Sequence, residues 1–362
     1  MAGDKAKIAK QARPVLSLFS GAGGFDLGFR TAGFEPRLAI DIAPAAVETY
    51  RHNHPGTAVE KLDLSSAAAS DLERLWRHHA GAEEPVGIIG GPPCQAFSVS
   101  NVHQKKRDGR RTLLFKYVET IEHFSKLCQL DFFVFENVPV LVQARHSWRF
   151  QEFRRRCERA GFRVSYKVVD AGNFGIPQHR RRLIIVGTSR LRFPNLDFDP
   201  PDGDSTPPNS ATVLKGLPEP AYCSRMPHEQ RASPFHPNHV TMVPRSPKFT
   251  NGKLEPADAR GRSFRVLSWD MPSYTVAYGH REIHIHPDRH RRLSVYEAML
   301  LQGFPKSYEL KGTFSQQVQL VSDALPPPLS EGIARAISVA LGYEPVDAAN
   351  AETCRGAKTS AE

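Results

Sequence analysis

A chain of 362 residues, 40% hydrophobic and 24% charged, holds enough apolar material for one large domain and a smaller one. Its formal net charge of +10 favours a polyanionic partner. No apolar run approaches the ~20 residues that cross a bilayer, and "MAGDKAKIAKQARP" lacks the apolar segment of a secretory signal, so a cytoplasmic location without a membrane partner is expected. The five cysteines (94, 128, 157, 223 and 354) show no CxxC or Cys/His metal spacing, so neither a disulfide framework nor a metal site is expected.

In chain order, "PVLSLFS" (14–20) reads as a buried strand entering a glycine turn, and "FDLGFRTAGF" (25–34) has helical spacing. "PRLAIDI" (36–42) is a second strand, and "PAAVETYRHNHP" (44–55) a helix with proline at its start. "VGIIGG" (86–91) is a strand, "TLLFKYVETIEHFSKL" (112–127) an amphipathic helix and "DFFVFENV" (131–138) a strand. "WRFQEFRRRCERAGF" (148–162) is a helix stopped by glycine, and "YKVVDA" (166–171) and "RRLIIVGTS" (181–189) are strands. Apolar strands alternating with helices specify an α/β fold: a doubly wound, mostly parallel sheet covered on both faces. Residues 189–290 are rich in Pro, Ser, His, Asn and Asp, yet "SFRVLSWDMPSYTVAY" (263–278) has strand-like runs, so a small, irregular, β-containing insertion is expected there. Helical patterns return at "LSVYEAMLLQGFP" (293–305) and "LPPPLSEGIARAISVALG" (325–342). The expected organisation is a basic tail (1–13), a main domain (14–188), an inserted domain (189–290), a return to the main domain (291–344) and a disordered tail (345–362).

The first glycine turn, "FSGAGGFDLGF" (19–29), sits where dinucleotide-binding chains carry G-x-G-x-x-G, but Asp26 stands at the third glycine position. That disfavours a dehydrogenase. What remains is a close backbone turn at Gly21 and Gly23–Gly24, where a ligand can meet main-chain N–H groups. Asp41 follows about 20 residues on, at a strand end, placed to accept from ribose hydroxyls. Asp63, in "KLDL", is a further acidic strand-end residue, suited to an adenine amino group. Together they indicate an adenosine-containing ligand; a purely structural turn is the alternative.

In "GGPPCQAFSVS" (90–100), Cys94 lies on a Pro-Pro turn beyond a strand end, on the sheet edge where ligands bind. It reads either as a small residue filling a turn or as a nucleophile, which needs nearby positive charge to become a thiolate. "HQKKRDGRR" (103–111) is close in sequence. Glu136, in "FENV", ends another strand on the same edge and is either a general acid with a raised pKa or an ion-pairing glutamate. "QHRRR" (178–182) offers Gln178, Arg180 and Arg182; strand alternation puts both arginines on one face, able to hold a carbonyl, a phosphate or Glu136. "FRRRCER" (153–159) reads as a solvated helix face.

In this order, "FSGAGGFDLGF", "GGPPCQAFS", "FENV", "QHRRR", "RRLSVYEAMLLQGFP" and "SDALPPPLSEGIARAI" resemble the DNA cytosine-5 methyltransferases, of the bacterial restriction-modification or orphan type, from Val15 to Leu341. The resemblance implies an S-adenosyl-L-methionine-dependent methyltransferase fold with an inserted target-recognition domain. It implies that Cys94 adds to C6 of a cytosine flipped out of double-stranded DNA and that C5 takes the methyl group, leaving S-adenosyl-L-homocysteine. Glu136 acts on the N3 edge of the base, and Arg182, supported by Arg180, holds its carbonyl. Phe19, Ser20, Gly21, Ala22, Gly23 and Gly24 wrap the methionine part of the cofactor; Asp41, Ile42, Asp63 and Leu64 hold ribose and adenine; Pro93 and Leu113 line the sulfur side. Asp323, Ala324 and Leu325 complete the pocket, although Ser322–Asp323 stands where the family commonly has Gly-Asn. Ser98, Ser100, Lys105, Lys106, Arg107 and Arg110 lie in a mobile loop that closes over the base, with Gln178, Arg245 and Lys248 as further DNA contacts. "HPNH" (236–239) reads as a turn or a DNA contact rather than a metal site. The expected enzyme works as a monomer on DNA, with a cognate restriction endonuclease acting separately. The alternatives are the tRNA-methylating branch that shares these motifs and a non-catalytic, cofactor-binding DNA partner.

Overall fold

The computed structural model describes residues 13–93, 113–143, 147–223, 233–249, 251, 254, 265–275 and 284–343. Seven strands, β1 (Pro14–Leu18), β2 (Glu35–Asp41), β3 (Ala58–Lys61), β4 (Gly87–Gly90), β5 (Phe132–Asn137), β6 (Phe162–Asp170) and β7 (Arg181–Ser189), form one sheet in the order β3-β2-β1-β4-β5-β7-β6. β7 runs antiparallel to both its neighbours, and every other pairing is parallel. Its reversal places Leu183 opposite Asn137 and Ile184 opposite Glu136, so the chain that starts β7 reaches the edge where β5 ends.

The central strands are buried on both faces, which explains their unbroken apolar runs. Phe133 and Phe135 of β5 join a core with Trp76 of α3 (Ala69–Ala80), Tyr117 and Ile121 of α4 (Leu113–Leu127) and Phe153 of α5 (Ser147–Arg159). Phe132 and Val134 belong to the opposite core, with Phe29 of α1 (Gly24–Thr31) and Ile333 and Ile337 of α9 (Pro327–Ala340). Each fully buried side chain of this size stabilises by about 1.5–3 kcal/mol. The Tyr117 hydroxyl, wholly buried, sits 3.0 Å from the Ile88 carbonyl and 2.8 Å from that of Val134, which meets its need for a partner. α2 (Pro44–Asn53) covers β2 and β3 through Val47 and Tyr50.

Beyond β7 the chain first stays on this body. Phe198 enters the second core, and Lys167 of β6 bonds Asp199 at 2.5 Å and Asp202 at 3.1 Å. Farther on, β8 (Ala221–Cys223) pairs with β9 (Val240–Met242), and β10 (Arg265–Val266) with β11 (His284–Ile285). Leu214 of α6 (Ala211–Leu214), Leu267 and Leu293 pack on Leu301 of α7 (Val295–Leu301). α8 (Phe314–Asp323) then leads into α9. Among the described residues, no helix is long and apolar enough to cross a membrane.

α1 and α9 touch at Gly28. A Cβ there would lie 2.6 Å from the Pro327 carbonyl oxygen and 2.5 Å from the Glu331 nitrogen, both backbone atoms that cannot step aside. Gly28→Ala is expected to destabilise the fold by about 1–3 kcal/mol in urea unfolding. An unchanged midpoint would show that the two helices are not held this tightly.

Candidate active site

The strand order reverses between β1 and β4, and ligands of such sheets bind in the crevice outside the carboxyl ends at this point. Past β1, Phe19 adopts φ 56°, a left-handed conformation that is unfavourable for a bulky residue. Gly21 (φ 53°) and Gly23 (φ 79°) continue the tight turn into α1. Asp41 pins it: Oδ2 accepts from Gly21 N at 2.9 Å and Oδ1 from Ala43 N at 2.8 Å. Burial raises the Asp41 pKa despite these bonds, and the carboxylate keeps lone pairs for further donors.

Three observations test this turn against an adenosyl ligand. No side chain caps the N-terminus of α1, and the Ser20 hydroxyl is buried without a hydrogen-bond partner. Ile42, next to Asp41, is 55% exposed at a strand end, an apolar side chain with nothing to cover it. A small pocket lined by Leu18, Phe19, Leu64, Leu72 and Tyr117 adjoins the turn. Orphaned donors and bare apolar surface beside a carboxylate fit a ligand with polar and aromatic parts.

Beneath the turn lies a polar network that the sequence did not suggest, Asp26 having counted there only as a missing glycine. The Tyr50 hydroxyl donates to Asp26 Oδ1 at 3.0 Å, and its ring stacks on His54 with centroids 4.2 Å apart. His54 Nε2 is 2.9 Å from the Tyr308 hydroxyl, which donates to the Ala22 carbonyl. Tyr308 has one proton and gives it to Ala22, so Nε2 is the protonated nitrogen of His54. Burial pushes the His54 pKa down to about 3, keeping the ring neutral, and pushes Asp26 up to about 6. A Cβ on Gly23 would lie 2.3 Å from His54 Nε2, so the turn rests directly on this network.

On the far side of β4, Asn137 Nδ2 donates to the Pro92 carbonyl at 3.1 Å, and a Cβ on Gly91 would lie 2.6 Å from Glu136 Oε2. The segment leading to Cys94 therefore leaves the sheet against Glu136, and Asn137 joins the site as a residue that sequence reasoning passed over. Cys94 itself, with Ser98, Ser100, Lys105, Lys106, Arg107 and Arg110, lies outside the described residues. Arg182 Nε sits 2.8 Å from Glu136 Oε1, with the two side chains 12% and 13% exposed. Burial raises the Glu136 pKa, while Arg182 and Arg180 oppose the rise.

Three expectations need correction. Arg180 precedes β7, is fully buried, and its Nη2 donates to the carbonyls of Ser322 (2.6 Å) and Ala324 (2.9 Å). It is a strut tying the α8–α9 junction to the sheet. Asp63 is not at a strand end: β3 stops at Lys61, and Asp63 is exposed two residues later. The Ser65 hydroxyl and amide hold its pKa down. Gln178 is wholly buried with neither amide atom partnered, its backbone bridged to Ser273, so it presents no surface to DNA. Leu64 lines the pocket beside the turn and, with Leu113, joins the main core.

Other residues fall as follows. Pro93 is half-buried and Arg245 and Lys248 are exposed. Ala324 and Leu325 are buried, and the Leu325 carbonyl lies 2.4 Å from where a Gly24 Cβ would stand, which closes the C-terminal segment onto the first turn. Gln319 Nε2 donates to Asp323 Oδ2 at 2.6 Å. Arg154, Arg155 and Arg156 each pair with a glutamate of α5 or α4. "HPNH" is a turn: His239 bonds Ser294 and the Pro218 carbonyl. His286, Asp288 and His290 bring ligand atoms within 4.8 Å of one another, but His290 bonds Glu219 and Asp288 accepts from Trp269.

Asp26 makes stability pH-dependent. Its folded pKa is raised from 3.8 to about 6, so its contribution is full below the unfolded value and is lost as pH rises through the folded one. The loss is worth up to roughly 3 kcal/mol at ~1.4 kcal/mol per pH unit. Asp26→Asn is expected to match the wild type near pH 4 and to exceed its Tm by several degrees near pH 7.5. A pH-independent difference would show that Asp26 ionises freely.

A family model for C-5 cytosine-specific DNA methylase matches residues 14–339. The chain is 33% identical over 337 residues to the Type II methyltransferase M1.HphI of Haemophilus parahaemolyticus, covering 89% of this chain and 86% of that protein. It is 29% identical over 344 residues to M.MthTI of Methanothermobacter thermautotrophicus, covering 89% and 96%. A putative DNA modification methyltransferase encoded within an E. coli prophage has the same fold, with TM-score 0.73, 23% identity and coverage of 91% and 100%. The S. pombe Dnmt2 methyltransferase structure follows with TM-score 0.63, 19% identity and coverage of 91% and 98%. The match across nearly the whole sheet and its C-terminal return shows that the chain belongs to the C-5 cytosine-specific DNA methylase family.

Proposed function

We propose that this chain methylates C5 of a cytosine flipped out of duplex DNA, through a covalent bond between Cys94 and C6. The observation that carries the reading is the junction of Glu136, Arg182 and the Gly91–Pro92 segment, two residues before the thiol. Cytosine C5 is a weak nucleophile. Addition of the Cys94 thiolate to C6 pushes an electron pair toward C5 and N3. Glu136, its pKa raised by burial, donates at N3 as that charge develops. Arg182 reaches the base carbonyl from the same side while holding the Glu136 carboxylate in place. When bound, S-adenosyl-L-methionine supplies an electrophilic methyl group. Loss of the C5 proton and departure of Cys94 from C6 then restore the aromatic ring as 5-methylcytosine.

The first turn, with Ser20, Asp41 and Ile42, holds the cofactor. Asp63 has a carboxylate lone pair left for an adenine amino group. Unstacking the base costs about a few kcal/mol, which the basic segment 98–111 offsets through phosphate contacts. The segment from 189 to 290 reads the DNA sequence, with Arg245 and Lys248 exposed for its phosphates. The relatives are Type II methyltransferases by name, which favours a separate restriction endonuclease and duplex DNA over tRNA; the enzyme works as a monomer on DNA.

Cys94→Ser is expected to lower methyl transfer by at least ~1,000-fold while DNA binding in a gel shift survives. Normal turnover would overturn the mechanism. In a parallel assay, labelled methyl groups are expected on duplex DNA; transfer to tRNA alone would overturn the substrate assignment.

A further inference from the structure

Asp41 ends β2 and pins Gly21 of the first turn, and Asp323 ends α8 two residues before Leu325, whose carbonyl lies 2.4 Å from where a Cβ on Gly24 of the same turn would stand. Their hydrogen bonds come from neutral donors: the amides of Gly21 and Ala43 for Asp41, and the side chain of Gln319 for Asp323. Among the described residues, neither carboxylate forms an ion pair. The two arginines nearest in charge are committed elsewhere, Arg180 to the Ser322 and Ala324 carbonyls and Arg182 to Glu136. The Asp323 carboxyl is reached by solvent yet crowded by protein, and this crowding raises its pKa, with Asp41 adding to the rise and Arg180 and Arg182 opposing it. Arg180 and Arg182 thus act on Asp323 only through space.

The cofactor and its product differ in one charge. S-adenosyl-L-methionine carries a sulfonium; once the methyl group has left, the sulfur is a neutral thioether, and the proton released from C5 balances the charge. The two are otherwise alike, so an anion in the cleft acts on their difference. We propose that Asp323 makes the cofactor cleft charge-selective, favouring the cationic cofactor over its thioether product and so weakening product inhibition. This rests on the cofactor assignment made above. A single charge acting over a partly solvated cleft is worth about fivefold to tenfold in relative affinity. Asp41, whose bonds to Gly21 and Ala43 shape the turn, supplies one part of the field, and Asp323 the other.

The test is titration calorimetry of the full-length protein with S-adenosyl-L-methionine and, separately, S-adenosyl-L-homocysteine, without DNA. Asp323→Asn is expected to shift the ratio of the two Kd values about fivefold to tenfold toward the homocysteine, and Asp323→Glu to keep the wild-type ratio. The shift is expected to shrink in about 1 M salt, where screening is strong. A purely structural role for Asp323 would weaken both ligands alike and leave the ratio within twofold of the wild type, which would overturn the proposal. Wild-type protein that binds neither ligand would overturn the cofactor assignment as well.

Discussion

One reversed strand organises this molecule. Had β7 run parallel to β5, its first residues would lie at the opposite edge of the sheet, a full strand length from Glu136. Running antiparallel, it delivers Arg182 to Glu136 and Arg180 to the carbonyls of Ser322 and Ala324. Each contact joins segments far apart in sequence. A mostly buried arginine on a carboxylate makes a strong and directional bond, and losing either partner leaves the other without its match in a low-dielectric place. Chemistry and architecture thus share the same few side chains, and the segment that leads to Cys94 is pressed against them at Gly91.

The cofactor side obeys a different constraint. Phe19 in a left-handed conformation, Ser20 with an orphaned hydroxyl and Asp26 in a dry interior are each unfavourable. They persist because the aromatic cores on both faces of the sheet hold the turn in one shape. Tyr50, His54 and Tyr308 convert that rigidity into a fixed position for the Ala22 carbonyl and for Gly23. An isolated glycine turn would sample many shapes; one seated on a packed polar network presents its donors already ordered, which lowers the entropic cost of binding.

Much of this was legible in the sequence where a residue's role follows from local periodicity. The strands of the central sheet are continuous apolar runs, and Glu136 stands at the end of one of them. The helix α3 was overlooked although Leu72, Leu75 and Trp76 have helical spacing, and α8 although Thr313 and Gln316 form a capping box. Asp63 misled because nothing in "KLDL" shows that the strand releases the chain at Lys61. Arg180 and Gln178 misled for a deeper reason. A polar side chain in a basic loop reads as surface, and only the tertiary structure shows that α8 and Ser273 cover it. The short strands β8 to β11, of two or three residues each, are too brief to show a period of their own, and Val266 and Ile285 of β10 and β11 pack with Leu254.

The central claim is that this frame serves a covalent attack by Cys94 on C6. Duplex DNA synthesised with 5-fluorocytosine in place of cytosine tests it most directly, because the fluorine at C5 cannot leave as a proton and Cys94 cannot then depart. In the presence of S-adenosyl-L-methionine, the account predicts a denaturation-resistant protein–DNA adduct whose mass spectrum places the linkage on Cys94. An adduct on another residue would contradict the account. So would no adduct at all, from protein that methylates ordinary duplex DNA in the same buffer.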